Sequence, residues 1–321
     1  MSGVAVEVSY CVVNTEGCAL LERCLDAIAV EREAVGFETE VLVLDNASTD
    51  GSAEMARDHP VGAEVVALEE RRGTAENDSA LLERARGRYG LLLNEDSEVR
   101  PGATAALHAA LEARPRAAAA GAQLLRPDGA AQPSAFRFPT VGASMLGAVG
   151  LARRNVQSRG GDVREVDWAH SAAMLVRREA GAAIGWLDPA FFVYSDEVDF
   201  CKRLRDAGWS ILYVPQAQAV HHEQLATGAA SERRIVEFAR NRDRYVRKHH
   251  GTATARAVRW LTAAAYAERA AAALVLPGHD PRRYWRHVTA TLRPGRGEGI
   301  AEAAAAFNAR RAATGDPAAP P

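Results

Sequence analysis

The chain has 321 residues, of which 48% are hydrophobic and 25% charged, the composition of an ordinary globular protein. This length accommodates one large domain, or a large domain with a smaller appendix. The formal net charge of −2 argues against a nucleic-acid binder, which usually shows a basic bias.

The N-terminal part of the chain alternates strand-like and helix-like segments. Strands are predicted at residues 4–13, 40–44, 63–68 and 89–93, and helices at 19–30, at 52–57 with Ser52 as the cap, and at 77–86. This alternation predicts an α/β fold with a mostly parallel sheet flanked by helices. Ligands bind such sheets beyond the carboxyl ends of the strands. Three strand ends are polar: Asn14-Thr15-Glu16, Asp45-Asn46 and Asn94-Glu95-Asp96. We expect these ends to meet in one cleft.

The second part of the chain has a weaker pattern. Residues 123–162 are rich in Gly, Pro and Ala and predict loops and short strands. A strand at 165–176, a helix at 178–184, a helix that begins near Asp196 and a strand at 209–214 follow, with Pro215 ending the last strand. From Ser231 the pattern is helical. We expect a domain at 1–228 and a helical C-terminal extension with a disordered tail at 229–321.

Two strand ends carry residues suited to a nucleotide and a metal ion. Glu95 and Asp96 follow a buried strand, and carboxylate oxygens are the ligands that Mg²⁺ and Mn²⁺ prefer. A polar exit from the strand explains them equally well. Asp45 can accept the N3–H of uracil or thymine, or it can serve locally by closing an Asx-turn or acting as a cap.

Two later segments carry a candidate general base and an imidazole. Asp196 and Glu197 stand at a helix start, where one carboxylate could orient an acceptor and the other could remove its proton. Acidic residues also favour that position because of the helix dipole. His221 and His222 follow the last strand, and an imidazole can complete a metal site.

Taken in order, these segments resemble the family-two inverting glycosyltransferases, particularly the bacterial rhamnosyltransferase-like branch. The resemblance covers roughly residues 8–227 and rests on VLDNASTDGS at 43–52, GRYGLLLNEDSEV at 87–99, WLD and FFVYSDEVD within 186–199, and LYVP and VHH within 212–222. Any one of these segments is a weak signal, whereas four in this order make chance improbable.

The resemblance implies a GT-A fold, a single-displacement reaction and use of Mg²⁺ or Mn²⁺. It implies that Asp96 and His221 bind the metal ion, and that Glu197 is the base with Asp196 as the supporting carboxylate. The donor-binding residues that it implies are Asn14, Thr15, Glu16, Asp45, Asn77, Asn94, Glu95 and Trp168.

The chain also departs from the family pattern. Glu95 stands where the family commonly has proline, which adds a carboxylate to the metal motif. The acidic pair has the order Asp-Glu instead of Glu-Asp, which lengthens the expected base by one methylene group. His170-Ser171 replaces an expected Ser-Gly, so sugar specificity is expected to differ. Asn77-Asp78 resembles the paired asparagines that open the helix before the metal strand.

The function expected from these residues is transfer of rhamnose from dTDP-rhamnose to a cell-envelope glycan or glycolipid. A UDP-hexose donor and a non-catalytic nucleotide-binding scaffold remain as alternatives. Four cysteines without metal-site spacing predict reduced thiols, and the longest apolar run, at 261–277, is interrupted by Glu268 and Arg269. These features favour a cytoplasmic enzyme, with peripheral contact at the inner face of the membrane and homodimerisation both open.

Overall fold

The computed structural model describes residues 5–140, 142, 161–223, 228–276 and 278–314, with the backbone only for residues 228–231. The strands are β1 (Val8–Asn14), β2 (Thr39–Asp45), β3 (Glu64–Ala67), β4 (Tyr89–Asn94), β5 (Ser97–Val99), β6 (Ala117–Leu125), β7 (Ala135–Phe136), β8 (Arg164–Val166), β9 (Trp168–Ala169), β10 (Ala173–Arg177) and β11 (Ser210–His221). The helices are α1 (Cys18–Ala34), α2 (Ser52–Asp58), α3 (Thr74–Arg84), α4 (Ala103–Glu112), α5 (Arg178–Ala183), α6 (Asp196–Asp206), α7 (Gly228–Ala272), α8 (Pro281–Leu292) and α9 (Ile300–Thr314).

The main sheet is mixed and mostly parallel, which confirms the predicted fold class. Its strand order is β3-β2-β1-β4-β10-β6-β11-β5, with β8 added on β11. The pairs β3-β2, β2-β1, β1-β4 and β6-β11 are parallel, whereas β10 runs antiparallel to both of its neighbours. The parallel half of the sheet therefore carries the strand ends that the sequence marked as polar.

Strand β4 shows how the sheet is held between two apolar layers. Leu91 and Leu93 are buried in one cluster with α1 and α4, and Leu92 is buried in the other cluster with α3 and α6. Successive side chains of a strand point to opposite faces, so an uninterrupted apolar run marks a strand that is covered on both sides.

The start of α2 differs from the prediction. Gly51, with φ of 84°, is the N-cap residue, and Ser52 is the first helical residue. The cap interaction comes from Asp50, whose carboxylate accepts the Ser52 N–H at 3.1 Å and also bonds the Ser52 hydroxyl. The prediction of Ser52 as the cap residue is wrong, because Gly51 holds the N-cap position and the Asp50 carboxylate makes the capping hydrogen bond.

Two strand predictions are also wrong in extent. Strand β11 continues through Pro215 to His221, because the register shifts between Val214 and Gln218 and leaves the proline outside the ladder. The single strand expected at 165–176 is three strands, since β8, β9 and β10 pair with β11, β7 and β4 respectively. The sequence patterns assigned no element to α4 or to the start of β6.

The C-terminal region is helical, as predicted, and both α7 and α9 contact the sheet domain. Helix α7 is broken at Gly251, whose φ of 81° is not helical. Before this break, Asn241 donates to the Val193 carbonyl at 2.7 Å. In α9, the Asn308 side chain bonds both backbone groups of Arg71, at 2.8 and 3.0 Å. Among the described residues, no helix is long and apolar enough to cross a membrane. The predicted disordered tail falls largely on residues 315–321, outside the described residues.

Candidate active site

The three polar strand ends lie side by side at the carboxyl edge of the sheet. In the ladders, Asn14 is paired with Asp45 and Val13 with Asn94. The Asn14 amide donates to Asp45 Oδ1 at 2.8 Å. The sheet therefore brings together Asn14, Asp45 and Asn94, as the sequence predicted.

Asp45 is buried and holds the backbone of the next turn. Its Oδ2 atom accepts the Ser48 N–H at 3.0 Å. This bond reaches three residues on, as a capping carboxylate does, and not the two residues of an Asx-turn. The Asn14 Nδ2 group donates to Asp45 and to the Ser48 hydroxyl. The buried Asn14 Oδ1 atom has no hydrogen bond among the described residues. An acceptor of this kind suits the N–H of a nucleobase.

Glu16 and Thr15 form the rim beside this pair. Glu16 has a positive φ of 52°, and its carboxylate accepts the Thr49 N–H at 3.1 Å and pairs with Arg71. The Thr15 hydroxyl accepts from the Asn46 amide at 3.2 Å. Arg71 also stacks on Phe307 of α9, with its Cζ atom 3.7 Å from the ring centroid. Through Arg71, the C-terminal helix α9 therefore supports the wall of the cleft next to Glu16.

Asp96 and His221 meet on the other side of β4. Strands β5 and β11 pair with Ser97 opposite His221, and the His222 N–H donates to the Asp96 carbonyl at 2.9 Å. This places His221 Nε2 3.4 Å from Asp96 Oδ1, with both side chains buried. Two ligand atoms at this separation can bind one divalent ion at ordinary distances of about 2.1 Å.

The pair fits a metal site of the kind that relies on its substrate. Among the described residues, no group of three or more His, Cys, Asp or Glu side chains is arranged to hold a metal ion. Magnesium sites commonly use one or two protein ligands and take the remaining ligands from substrate phosphates and water. One carboxylate and one imidazole therefore fit an ion that arrives with a nucleoside diphosphate.

His170 and Gln132 complete the surroundings of His221. The rings of His170 and His221 lie 5.4 Å apart, and the Gln132 amide lies 3.1 Å from His221 Nδ1. Burial, reinforced by His221, lowers the pKa of His170 to about 3, and its Nδ1 atom accepts the Ala172 N–H at 3.2 Å. His170 is therefore a neutral imidazole beside the pair formed by Asp96 and His221. Sequence reasoning noted His170 only as a departure and missed Gln132, which lies in a weakly patterned loop.

Glu95 follows β4 and is under the influence of the charges of both Asp96 and Asp45. Burial and then repulsion from Asp96 raise the pKa of Glu95 to about 8, while the Thr15 N–H and other contacts act in the opposite direction. Asp45 adds to the repulsion. Asp96 and Asp45 therefore both disfavour the charged form of Glu95, the extra carboxylate that the sequence left unexplained. The neighbouring Asn94 is half-buried, and its carbonyl accepts from the Cys24 thiol.

Asp196 and Glu197 open α6 from a strained loop. Tyr194 and Ser195 both have a φ of 65°, a left-handed conformation that is costly for residues other than glycine. Both carboxyl groups are buried. Burial, followed by the charge of Asp196, raises the pKa of Glu197 well above its usual range, and the two side chains hydrogen-bond. The Glu197 Oε2 atom has no hydrogen-bond partner among the described residues.

The start of α3 packs against the same loop. The Thr74 N–H donates to the Phe192 carbonyl, and a Cβ on Gly73 would lie 2.6 Å from that oxygen, so only glycine fits there. One turn later, Asn77 is 1% exposed, and neither its amide nitrogen nor its oxygen has a hydrogen bond among the described residues. Burial and then Asp196 raise the pKa of the adjacent Asp78 well above its usual range.

Trp168 lies in the small sheet formed by β7 and β9. Its ring stacks on Phe136 with centroids 4.3 Å apart, and its Nε1–H donates to the Arg137 carbonyl at 3.1 Å. These contacts orient the indole, and they leave its predicted place beside the donor sugar as a prediction.

Comparison with known proteins extends this description. Residues 10–140 match the model of glycosyl transferase family 2. The chain is 32% identical over 234 residues to the N-acetylglucosaminyl-diphospho-decaprenol L-rhamnosyltransferase of Mycobacterium tuberculosis, a match covering 65% of this chain and 73% of that relative.

Solved structures share the fold at low sequence identity. A Pyrobaculum calidifontis mannosyltransferase in complex with GDP-Man and Mn²⁺ superposes with a TM-score of 0.51 at 18% identity, covering 99% of this chain and 80% of that one. GalNAc-T7 with UDP, GalNAc and Mn²⁺ superposes with a TM-score of 0.56 at 15% identity over 91% of this chain. This chain spans only 55% of the GalNAc-T7 chain.

The strand order and these structural likenesses define a GT-A fold. With the sequence matches, the chain belongs to glycosyl transferase family 2. Its similarity to an L-rhamnosyltransferase bears out the resemblance found in the sequence.

Proposed function

We propose that this glycosyltransferase moves L-rhamnose from dTDP-rhamnose to a lipid-linked glycan acceptor, with inversion at the anomeric carbon. The observation that carries the proposal is the contact of Asp96 with His221, which lies on the same strand edge as Asn14 and Asp45. The choice of rhamnose is supported by the relative, which is named as a rhamnosyltransferase and matches over 234 residues.

Asp96 and His221 would hold a divalent ion against the donor diphosphate. The ion would neutralise charge on the leaving diphosphate. Asn14 Oδ1 and Asp45 would face the pyrimidine base, and the buried, unpartnered Asn77 amide would bond a polar group of the donor. The diphosphate and water would supply the remaining metal ligands.

Glu197 would be the general base. An acceptor hydroxyl attacks the anomeric carbon, the new C–O bond forms as the bond to the diphosphate oxygen breaks, and dTDP leaves with the electron pair. The acceptor proton passes to Glu197, whose raised pKa makes it a stronger base than an ordinary glutamate. Once Glu197 holds the acceptor proton, its carboxyl group would donate a hydrogen bond to Asp196, which would stabilise the protonated form.

The acceptor is proposed from the same relative, whose name specifies an N-acetylglucosaminyl-diphospho-decaprenol. A lipid-linked acceptor fits a protein that works at the cytoplasmic face of a membrane. This localisation, like the donor and acceptor, is part of the proposal.

The test is release of nucleoside diphosphate by the purified protein with Mn²⁺ and an N-acetylglucosaminyl-diphospho-lipid. We expect turnover with dTDP-rhamnose and much slower turnover with UDP-glucose or UDP-N-acetylglucosamine. Faster turnover of a UDP-hexose would replace the proposed donor. Binding of nucleotides without turnover of any sugar would indicate a non-catalytic scaffold instead.

A further inference from the structure

The turn between α7 and α8 exposes three consecutive apolar side chains. Leu274, Val275 and Leu276 are 75%, 82% and 52% exposed. Single apolar residues on a surface are common, whereas a contiguous exposed group marks an interaction site. The turn is therefore a candidate docking surface.

The first turns of α8 add an aromatic and basic face beside it. Trp285 is 57% exposed, and Arg282 and Arg283 are exposed as well, while Val288 and Ala290 face inward. Arg282 and Trp285 are three residues apart and share one side of the helix. Tryptophan next to arginine is the composition of helices that lie in a membrane interface.

The backbone N–H groups of the apolar turn are bonded within the chain. The N–H groups of Leu274, Val275 and Leu276 donate to carbonyls of Ala271 and Ala272 at 3.0–3.2 Å. An N–H group without a partner would oppose entry into a region of low water content. Since these three N–H groups have partners within the chain, they do not oppose entry of the turn into a headgroup layer.

The charge of this region selects an anionic partner. Residues 251–297 contain eight arginines and only two acidic residues, Glu268 and Asp280, a formal net charge of +6 in a chain whose total is −2. Arg259 and Arg286 pair with Asp243 and Glu232 outside this stretch, so the other six arginines supply the excess charge. The arginines are Arg256, Arg259, Arg269, Arg282, Arg283, Arg286, Arg293 and Arg296. A second copy of the chain would oppose like charges, whereas anionic phospholipids attract juxtamembrane arginines.

We propose that the docking tip, formed by Leu274, Val275, Leu276, Arg282 and Trp285, binds an anionic phospholipid bilayer. The apolar turn enters the headgroup region, and the arginines contact lipid phosphates. This binding needs neither donor nor acceptor, so it stands or falls separately from the proposed function.

The experiment is co-sedimentation of the full chain with vesicles, without nucleotide sugar. We expect binding to vesicles of phosphatidylcholine with phosphatidylglycerol, weaker binding at high salt, and little binding to phosphatidylcholine alone. Val275→Glu should weaken binding about tenfold or more. Val30→Glu is the matched control, because Val30 is 55% exposed on α1, and it should bind normally.

A charge-reversed pair tests the basic component. The double variant R282E/R283E should weaken binding by about tenfold or more, whereas R114E/R116E, at exposed positions before β6, should not. Tryptophan emission should be quenched by brominated acyl chains, and part of this quenching should be lost in Trp285→Phe.

Three results would overturn the proposal. They are equal binding to uncharged vesicles, normal vesicle binding by Val275→Glu, and a dimer in solution that Val275→Glu dissociates. Turnover of a water-soluble acceptor should be unchanged in Val275→Glu, which separates loss of docking from loss of the active site.

Discussion

His249 Nε2 lies 2.7 Å from Oδ1 of Asp199, a carboxylate with no exposed surface. Asp199 stands in the first turn of α6, three residues after Asp196, and His249 lies in α7 just before its break at Gly251. Lys248 and Arg203 reach the same carboxylate, each at 2.7 Å. The contact therefore joins the helix that begins with the acidic pair to the C-terminal helices.

Replacing His249 by alanine should reduce kcat by about tenfold and leave the donor KM nearly unchanged. The reason is that α6 loses a contact that positions Glu197, whereas Asn14 and Asp45 are unaffected. The free energy of unfolding should fall by about 1–3 kcal/mol, as for a hydrogen bond to a charged group. Steady-state kinetics and thermal unfolding measure both effects. His250→Ala is the control, since His250 is exposed and next in the chain. Equal effects of the two variants would contradict the role of His249.

Asp96→Ala and His221→Ala should each lower turnover about 100-fold or more, because the diphosphate charge is no longer neutralised as it leaves. Calorimetric titration of Mn²⁺ with the nucleoside diphosphate should show weakened binding in both variants. His222→Ala is the control, because its ring pairs with Glu98 at 2.7 Å instead of Asp96. Full activity of the parent protein in EDTA would exclude the metal role.

Glu197→Gln should lower kcat about 100-fold or more with little change in donor binding, since the base is lost and its shape is kept. In the parent protein, activity should rise with pH as Glu197 ionises, and burial and Asp196 place this rise above the usual glutamate range. Asp196→Asn removes the repulsion and should move the rise to lower pH. The pH profile of kcat measures this shift, and Glu179→Gln, at an exposed position in α5, should leave the profile unchanged. A shift to higher pH in Asp196→Asn would contradict the assigned cause.

Asn77→Leu should raise the donor KM and lower turnover while leaving the melting temperature unchanged or higher. Its amide is buried without hydrogen bonds among the described residues, so an apolar side chain of similar size removes a desolvation cost. Asn241→Leu makes a matched comparison, because the Asn241 amide donates to Val193 and Glu237 and its loss should destabilise the protein. Destabilisation of similar size in both variants would indicate a structural role for Asn77.

Asp78→Asn should stabilise the protein at neutral pH and have little effect in acid. Below the ordinary aspartate pKa, both folded and unfolded chains hold the proton. Above it the unfolded chain loses the proton while the buried Asp78 keeps it, so folding becomes less favourable as pH rises toward the raised pKa. Each unit of difference amounts to about 1.4 kcal/mol. Urea unfolding at several pH values measures the gain, with exposed Asp58→Asn as the control. A gain that is equal at acid and neutral pH would contradict this account.

The parallel half of the fold could be predicted because its signals are local. The apolar runs before Asp45 and Asn94 mark strands covered on both faces, and their abrupt polar ends mark the edge where ligands bind. Strand β6 escaped because its alanine-rich start resembles a helix as much as a buried strand. Pro215 wrongly predicted the end of β11. The register shift between Val214 and Gln218 leaves Pro215 without a partner in the ladder, so its missing N–H is not needed, and this shift depends on pairing with β6.

The candidate site could be predicted where residue type and strand position coincide, as at Asp45 and Asp96. The sequence could not show that His170 and Gln132 lie beside His221, because these residues come from separate loops that only the folded sheet brings together. The contact of Asp199 with His249 spans 50 residues, and no short pattern encodes it. The roles of the site residues stay predictions until the variants are measured.

The hydrogen bonds from α7 to Val193, in the loop before Asp196, and from α9 to Arg71 have a consequence for protein engineering. A chimaera that exchanges specificity between relatives by a cut near residue 228 would separate each wall of the cleft from the helix that buttresses it. A recombinant should therefore take the C-terminal helices and the segments that they contact, around Arg71 and Val193, from the same parent. Residues as remote as Phe307 and Asn308 then become legitimate targets for libraries that aim to alter donor choice.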